Sequence, residues 1–162
     1  MGHRHVNLDR FRGRSIRLPN RDYRSPGAYF VTICAYGRQT IFETPALRVL
    51  LQEHWLALPE RFPTVRLDEF VIMPDHLHFI LWLEGQQSTN PRLSEVIGAY
   101  KSLVAVAWIK HVENNELNCS ARVWQKGYYE RVVRQDELDQ TRYYIRTNPL
   151  KLMPSSYLES EQ

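Results

Sequence analysis

Residues 76–78, His-Leu-His, open a run (HLHFILWL, His76 to Leu83) whose alternation fits a β-strand. In a strand, positions i and i+2 project from the same face, so both imidazoles point one way, together with Ile80 and Trp82. Leu77, Phe79, Leu81 and Leu83 form the opposite, core-facing side. Paired imidazoles on one sheet face suit a metal ion, but the spacing alone fits two ordinary sheet histidines equally well. His3-Arg4-His5 repeats the spacing without a strand around it and reads as incidental. His54 and His111 lie on or near apolar helix faces and read as structural.

A second set lies late in the chain. Tyr144 and Asn148 are four residues apart, on one side of an expected helix with Gln140 and Thr141, while Leu138 and Ile145 mark its apolar side. Tyr144 fits an amphipathic surface residue as well as a reactive one, and Tyr143 is an equal alternative. Asn148, before Pro149, fits a helix C-cap. A third set, Trp124-Gln125-Lys126-Gly127-Tyr128-Tyr129, mixes aromatics with a cation and a glycine. That mixture suits stacking on unpaired bases beside phosphates, and suits core strand aromatics equally. Lys101, followed by Ser102 on a helix, either meets a phosphate or is simply solvated.

The elements that must position these groups follow from periodicity and punctuation. Ala28 to Tyr36 reads as a strand after Ser25-Pro26-Gly27, and Thr44-Pro45 as the N-cap and first residue of a helix. Leu47, Leu50, Leu51, Trp55 and Leu58 recur at helical spacing, with Pro59 as the stop. Val65 to Met73 reads as a strand, Pro74-Asp75 as a turn, and His76 to Leu83 as its antiparallel partner. Asn90-Pro91 opens a helix with Leu93, Val96, Ile97, Tyr100, Val104, Ala107, Trp108 and His111 on one face. A strand is expected within Val123 to Arg134. A last helix, capped by Asp136, is expected to end near Thr147, because Asn148 precedes a proline. This β-α-β-β-α-β order predicts an α+β, ferredoxin-like domain: a four-stranded antiparallel sheet, two helices on one face, and an extra C-terminal helix carrying the tyrosine. The other face is left for a ligand or for that last helix.

The 162 residues, 43% hydrophobic and 12% aromatic, suffice for one domain with a true core. Composition excludes a disordered tail, a collagen-like fibre and a cysteine-stapled scaffold. The longest uncharged apolar-rich stretch, Pro26 to Gly37, is far short of the ~20 residues a membrane span needs, and no apolar signal core follows the start. Cys34 and Cys119 are too few for a disulfide framework and read as thiols in a reducing cytoplasm. The net charge of +3 is uneven: residues 1–26 hold seven arginines against Asp9 and Asp22. Such an arm suits a polyanion, although it also fits a solvated segment without a target. Three parts are therefore expected: a basic arm at 1–26, a single domain at 27–153 and a short tail at 154–162.

Four motifs together, MPDHLHF (Met73 to Phe79), AYKS (Ala99 to Ser102), WQKGYYERVVR (Trp124 to Arg134) and RYYIRTNP (Arg142 to Pro149), resemble single-strand tyrosine transposases of the His-hydrophobic-His superfamily. Within that group the likeness is to the REP-associated tyrosine transposases, over roughly residues 20–153. The resemblance implies His76, His78 and Asn148 as ligands of Mg²⁺ or Mn²⁺, and Tyr144 as nucleophile. It implies cleavage and strand transfer on single-stranded or hairpin DNA through a 5′-phosphotyrosine, by a monomer or a homodimer. Arg12, Arg14, Arg17, Arg21, Arg24, Lys101, Trp124, Gln125, Lys126 and Tyr128 are the expected DNA contacts. The chain departs from the family pattern at Arg131, often histidine, and at Asp75, commonly asparagine. The alternative reading is a non-catalytic nucleic-acid-binding module, or a domesticated transposase that only binds DNA.

Overall fold

The computed structural model describes residues 23–151. Its strands are β1 (Gly27–Cys34), β2 (Val65–Ile72), β3 (His76–Leu83) and β4 (Tyr129–Val133); its helices are α1 (Pro45–Leu56), α2 (Leu58–Arg61), α3 (Leu93–Asn114) and α4 (Leu138–Lys151). They form one four-stranded sheet in the order β2-β3-β1-β4, with every neighbouring pair antiparallel. This is the predicted α+β plan. No described helix is long and apolar enough to cross a membrane.

Strand alternation sorts the side chains into two cores. Tyr29, Val31 and Ile33 of β1 and Leu77, Phe79, Leu81 and Leu83 of β3 face α1 and α3, where Leu47, Leu51, Trp55, Val96, Ile97, Tyr100, Val104 and Trp108 meet them. On the other face, Ala28, Phe30, Ile80 and Val133 pack against Leu138 and Ile145 of α4. The last helix therefore covers the sheet face that carries the histidines.

Element ends differ from expectation where a proline or a polar side chain has another task. Pro59 does not stop the first helical region; it sits in the first turn of α2, where a missing N–H costs no hydrogen bond. Asn90-Pro91 does not open α3, because the Asn90 amide is committed to the preceding loop. Its Nδ2 donates to the carbonyls of Arg24 and Gly85 at 2.9 and 2.8 Å, and its Oδ1 accepts from Gly85 N at 2.9 Å. A Cβ on Gly85 would lie 2.6 Å from that Oδ1, so the close approach requires glycine. In the Val123 to Arg134 stretch only Tyr129–Val133 is strand, preceded by a single bridge between Ala35 and Trp124. Asp136 lies within a 3-10 turn, Gln135–Glu137, rather than capping α4. Finally, α4 continues through Asn148-Pro149 to Lys151; the bias against helix before proline is overridden here, and Asn148 is not a C-cap.

One irregularity shapes the sheet. Leu67 pairs with Leu81 and Phe70 with Phe79, so Asp68 and Glu69 together oppose Ile80 in a β-bulge.

Candidate active site

His76 and His78 lie on the α4-covered face, as the alternation predicts, and their Nε2 atoms are 3.1 Å apart. Each ring is held by a polar neighbour at Nδ1. His76 Nδ1 is 2.6 Å from the Asp75 carboxylate, and His78 Nδ1 is 2.7 Å from the Thr32 hydroxyl. Thr32 stands directly opposite His78 in the β1–β3 ladder, which explains the contact. A carboxylate only accepts, so His76 carries a proton on Nδ1 and donates it to Asp75. Burial would raise the Asp75 carboxyl, but the hydrogen bond and charge of His76, with Arg38 beside it, hold it below the ordinary carboxylate value. Burial, reinforced by the charges of His76 and Arg38, pushes His78 well below the usual histidine value, so it stays neutral.

Arg38 closes this chain of contacts, its Nε donating to Asp75 Oδ2 at 3.0 Å. It follows Gly37 in a turn where both residues take positive φ, 61° and 54°. The glycine occupies that region without penalty, whereas the arginine does so at a modest steric cost.

Tyr144 reaches the same place from α4. Its ring centroid lies 5.9 Å from that of His78 and 6.4 Å from that of Phe30, and Phe30 stacks on His78 at 5.4 Å. Tyr143, its neighbour, points away and is 67% exposed. Asn148, one turn beyond Tyr144, is buried, and its Nδ2 has no hydrogen-bond partner among the described residues. Among the described residues no three His, Cys, Asp or Glu side chains cluster for a metal.

The bulge fixes where the tyrosine helix sits. Asp68 accepts from Arg142 Nε at 2.9 Å, Arg142 Nη2 at 2.6 Å and Trp82 Nε1 at 2.8 Å, while Glu69 takes Arg146. Arg142 and Arg146 are one turn apart on α4 and flank Tyr144 in sequence. Burial would raise the Asp68 carboxyl, yet the bonds from Arg142 and Trp82 hold it below its ordinary value. Sequence reasoning passed over this clamp, although it left a signal. The apolar set Val65 and Leu67 changes phase to Phe70 and Ile72, as a bulge between them requires.

The remaining expected contacts divide. Trp124 packs on Phe42 and Tyr100, and its indole N–H donates to the Lys101 carbonyl at 2.9 Å; Tyr128 is buried in the same core. Tyr128 is thus a core aromatic, whereas Trp124 is partly buried against that core. Lys101 Nζ donates to the carbonyls of Gln125 and Gly127 at 3.0 and 3.1 Å, so it anchors that loop, and burial lowers its pKa. Gln125 is half-buried and Lys126 exposed. Arg24 holds the start of the domain through its carbonyl bond to Asn90. Arg12, Arg14, Arg17 and Arg21 lie outside the described residues, as does the tail.

The site is thus a pair of converging imidazoles, oriented from behind, with one phenol clamped above them. Comparison with known proteins gives this geometry a context. A structure of a REP-associated tyrosine transposase bound to a REP hairpin superposes with a TM-score of 0.61 at 20% identity, covering 84% of this chain and 74% of that one. A Deinococcus radiodurans R1 protein assigned as a transposase superposes with a TM-score of 0.55 at 16% identity, covering 81% and 97%. A Haemophilus influenzae Rd protein of unassigned function is 32% identical over 164 residues, 85% of this chain and 88% of its own length. Residues 27–148 match the family model for IS200-like transposases, and the chain belongs to that family.

Proposed function

We propose that this transposase cleaves and rejoins single-stranded DNA at hairpins, as its resemblance to REP-associated tyrosine transposases implies, with Tyr144 as nucleophile and a divalent ion at His76 and His78. The observation that carries this reading is the Tyr144 ring 5.9 Å from that of His78, above two Nε2 atoms 3.1 Å apart. His76 and His78 would hold the ion through these two nitrogens. The orphaned Asn148 amide supplies a third donor, its two ends being interchangeable by rotation. Two imidazoles and one amide leave open positions, which suits Mg²⁺ or Mn²⁺. Such an ion, when bound, polarises the phosphate and offsets its charge.

The chain's own residues do the rest. Asp75 and Thr32 fix both imidazole orientations, and a neutral His78 presents a lone pair instead of a competing positive charge. Tyr144 Oη attacks phosphorus, the P–O3′ bond breaks, and a 5′-phosphotyrosine keeps the bond energy for a second strand's 3′-hydroxyl. Arg12, Arg14, Arg17, Arg21 and Arg24 contact phosphates beside the hairpin, with Gln125 and Lys126 nearer the domain.

Incubating the chain with labelled hairpin oligonucleotides carrying randomised single-stranded flanks, in Mn²⁺, tests this on a denaturing gel. A covalent adduct that disappears in Tyr144→Phe is expected. Binding without an adduct in any divalent metal would instead leave a DNA-binding module on a transposase fold.

A further inference from the structure

We propose that Arg131 is an active-site residue that binds the DNA phosphate attacked by Tyr144 and stabilises the charge that develops on it. The inference rests on the reading of Tyr144 as nucleophile. Arg131 stands directly opposite Phe30 in the β1–β4 ladder, so both side chains share the α4-covered face. The Phe30 ring is a common floor: His78 stacks on it at 5.4 Å, Tyr144 meets it edge-on at 6.4 Å, and the Arg131 guanidinium lies 5.8 Å from its centroid. Nucleophile, metal-site imidazole and cation therefore surround one aromatic ring.

The guanidinium is also poorly neutralised. Its Nη1 reaches Glu137 Oε2 at 3.3 Å, while the other oxygen of that carboxylate lies 3.4 Å from Arg134. Two arginines thus share one carboxylate at long distances. Arg142 in the same face shows what a committed pair looks like here, with two bonds of 2.9 and 2.6 Å to Asp68. Moreover, Arg131 Nε has no hydrogen-bond partner among the described residues, on a side chain that is 35% exposed. A buried donor without an acceptor is costly, and persists where an outside acceptor completes it. The planar guanidinium fork matches two phosphate oxygens.

In the step proposed, the Tyr144 Oη–P bond forms and the P–O3′ bond breaks. The phenolic proton passes to water, and the departing 3′ oxygen takes a proton from water. Negative charge concentrates on the non-bridging oxygens as phosphorus becomes five-coordinate, and a fixed cation there acts more strongly on the transition state than on bound DNA. Arg131 thereby complements the two imidazoles from the opposite side of Phe30.

The test uses the full chain with the best adduct-forming hairpin from the randomised pool, made with either a normal phosphate or a neutral methylphosphonate at the mapped linkage. Arg131→Met, which keeps the packing on Phe30, is expected to slow adduct formation about 100-fold on the phosphate. Its affinity for the uncut hairpin should fall far less than its rate, and on the methylphosphonate the two proteins should react at similar rates. Arg131→Lys, which keeps charge but not the fork, should fall between them and show the same dependence on phosphate charge; it decides the matter if the methionine variant does not fold. An Arg131→Met rate close to wild type on the phosphate, or an equal loss on both substrates, would overturn the proposal. If wild type forms no adduct at all, the reading of Tyr144 falls, and this one with it.

Discussion

Thr32 shows how a small side chain sets the chemistry of a larger one. Its hydroxyl touches His78 Nδ1 at 2.7 Å, while His76 takes its orientation from Asp75 at 2.6 Å. Removing such an orienting group characteristically costs a metal site about 10- to 100-fold in affinity. Thr32→Val, which keeps the shape and drops the hydroxyl, is therefore expected to weaken Mn²⁺ binding by that range in titration calorimetry; unchanged affinity would show that Thr32 does not orient the ring. The histidine pair was legible in HLHFILWL because alternation alone sends both rings to one face. Thr32 and Asp75 were not legible as partners, since cross-strand register and the turn at Pro74 decide who meets the imidazoles. Trp124 and Tyr128 were open for the same reason: an aromatic residue has no mark of the face it will take, and Tyr128 went to the core while Trp124 packs half-buried against it.

At the scale of elements, the β2 bulge and α4 form one device. Asp68 has only 7% of its side chain exposed and Arg142 27%, so their pair is largely withdrawn from water. Losing one partner of such a pair leaves the other charge uncompensated, at a cost of about 3 kcal/mol. Asp68→Asn should thus destabilise the protein by that order in urea unfolding and lower the adduct rate by letting the tyrosine helix drift. Because the folded-state pKa of Asp68 is depressed, its contribution is fully present above the unfolded value of about 3.9 and is lost as pH falls through the lower, folded value. The gap in melting temperature between wild type and Asp68→Asn should accordingly hold steady from neutral pH to about 4 and close below it. A gap unchanged in strong acid would place the stabilisation elsewhere. The strands, α1 and the buried stripe of α3 were readable from periodicity, whereas element ends were set by tertiary contacts, above all the Asn90 amide and the run of α4 through Pro149.

For the whole molecule, Tyr144 lies over His78 of the same chain, with its helix held to β2 by Asp68 and Glu69. Mixing Tyr144→Phe chains with His76→Ala chains should restore no adduct, because neither chain then has both parts; recovery would mean that the tyrosine helix serves a partner's site. The basic arm belongs to this scale too. The Leu93 amide donates to the Tyr23 carbonyl, and Asn90 to that of Arg24, so a truncation that spares the fold ends at residue 22. Removing residues 1–22 should weaken hairpin binding and flatten its salt dependence by about 0.7 log unit for each single-strand phosphate that the arm neutralises. An unchanged slope would show that the arm neutralises none.

The most direct test of the account is to locate the covalent bond. After reaction with a hairpin substrate in Mn²⁺ and nuclease trimming, tryptic cleavage at Arg142 and Arg146 releases a peptide containing both Tyr143 and Tyr144. Fragment masses should place the nucleotide on Tyr144, the ring facing His78, and none on the exposed Tyr143. A nucleotide on Tyr143, or an adduct that persists in Tyr144→Phe, would contradict the account.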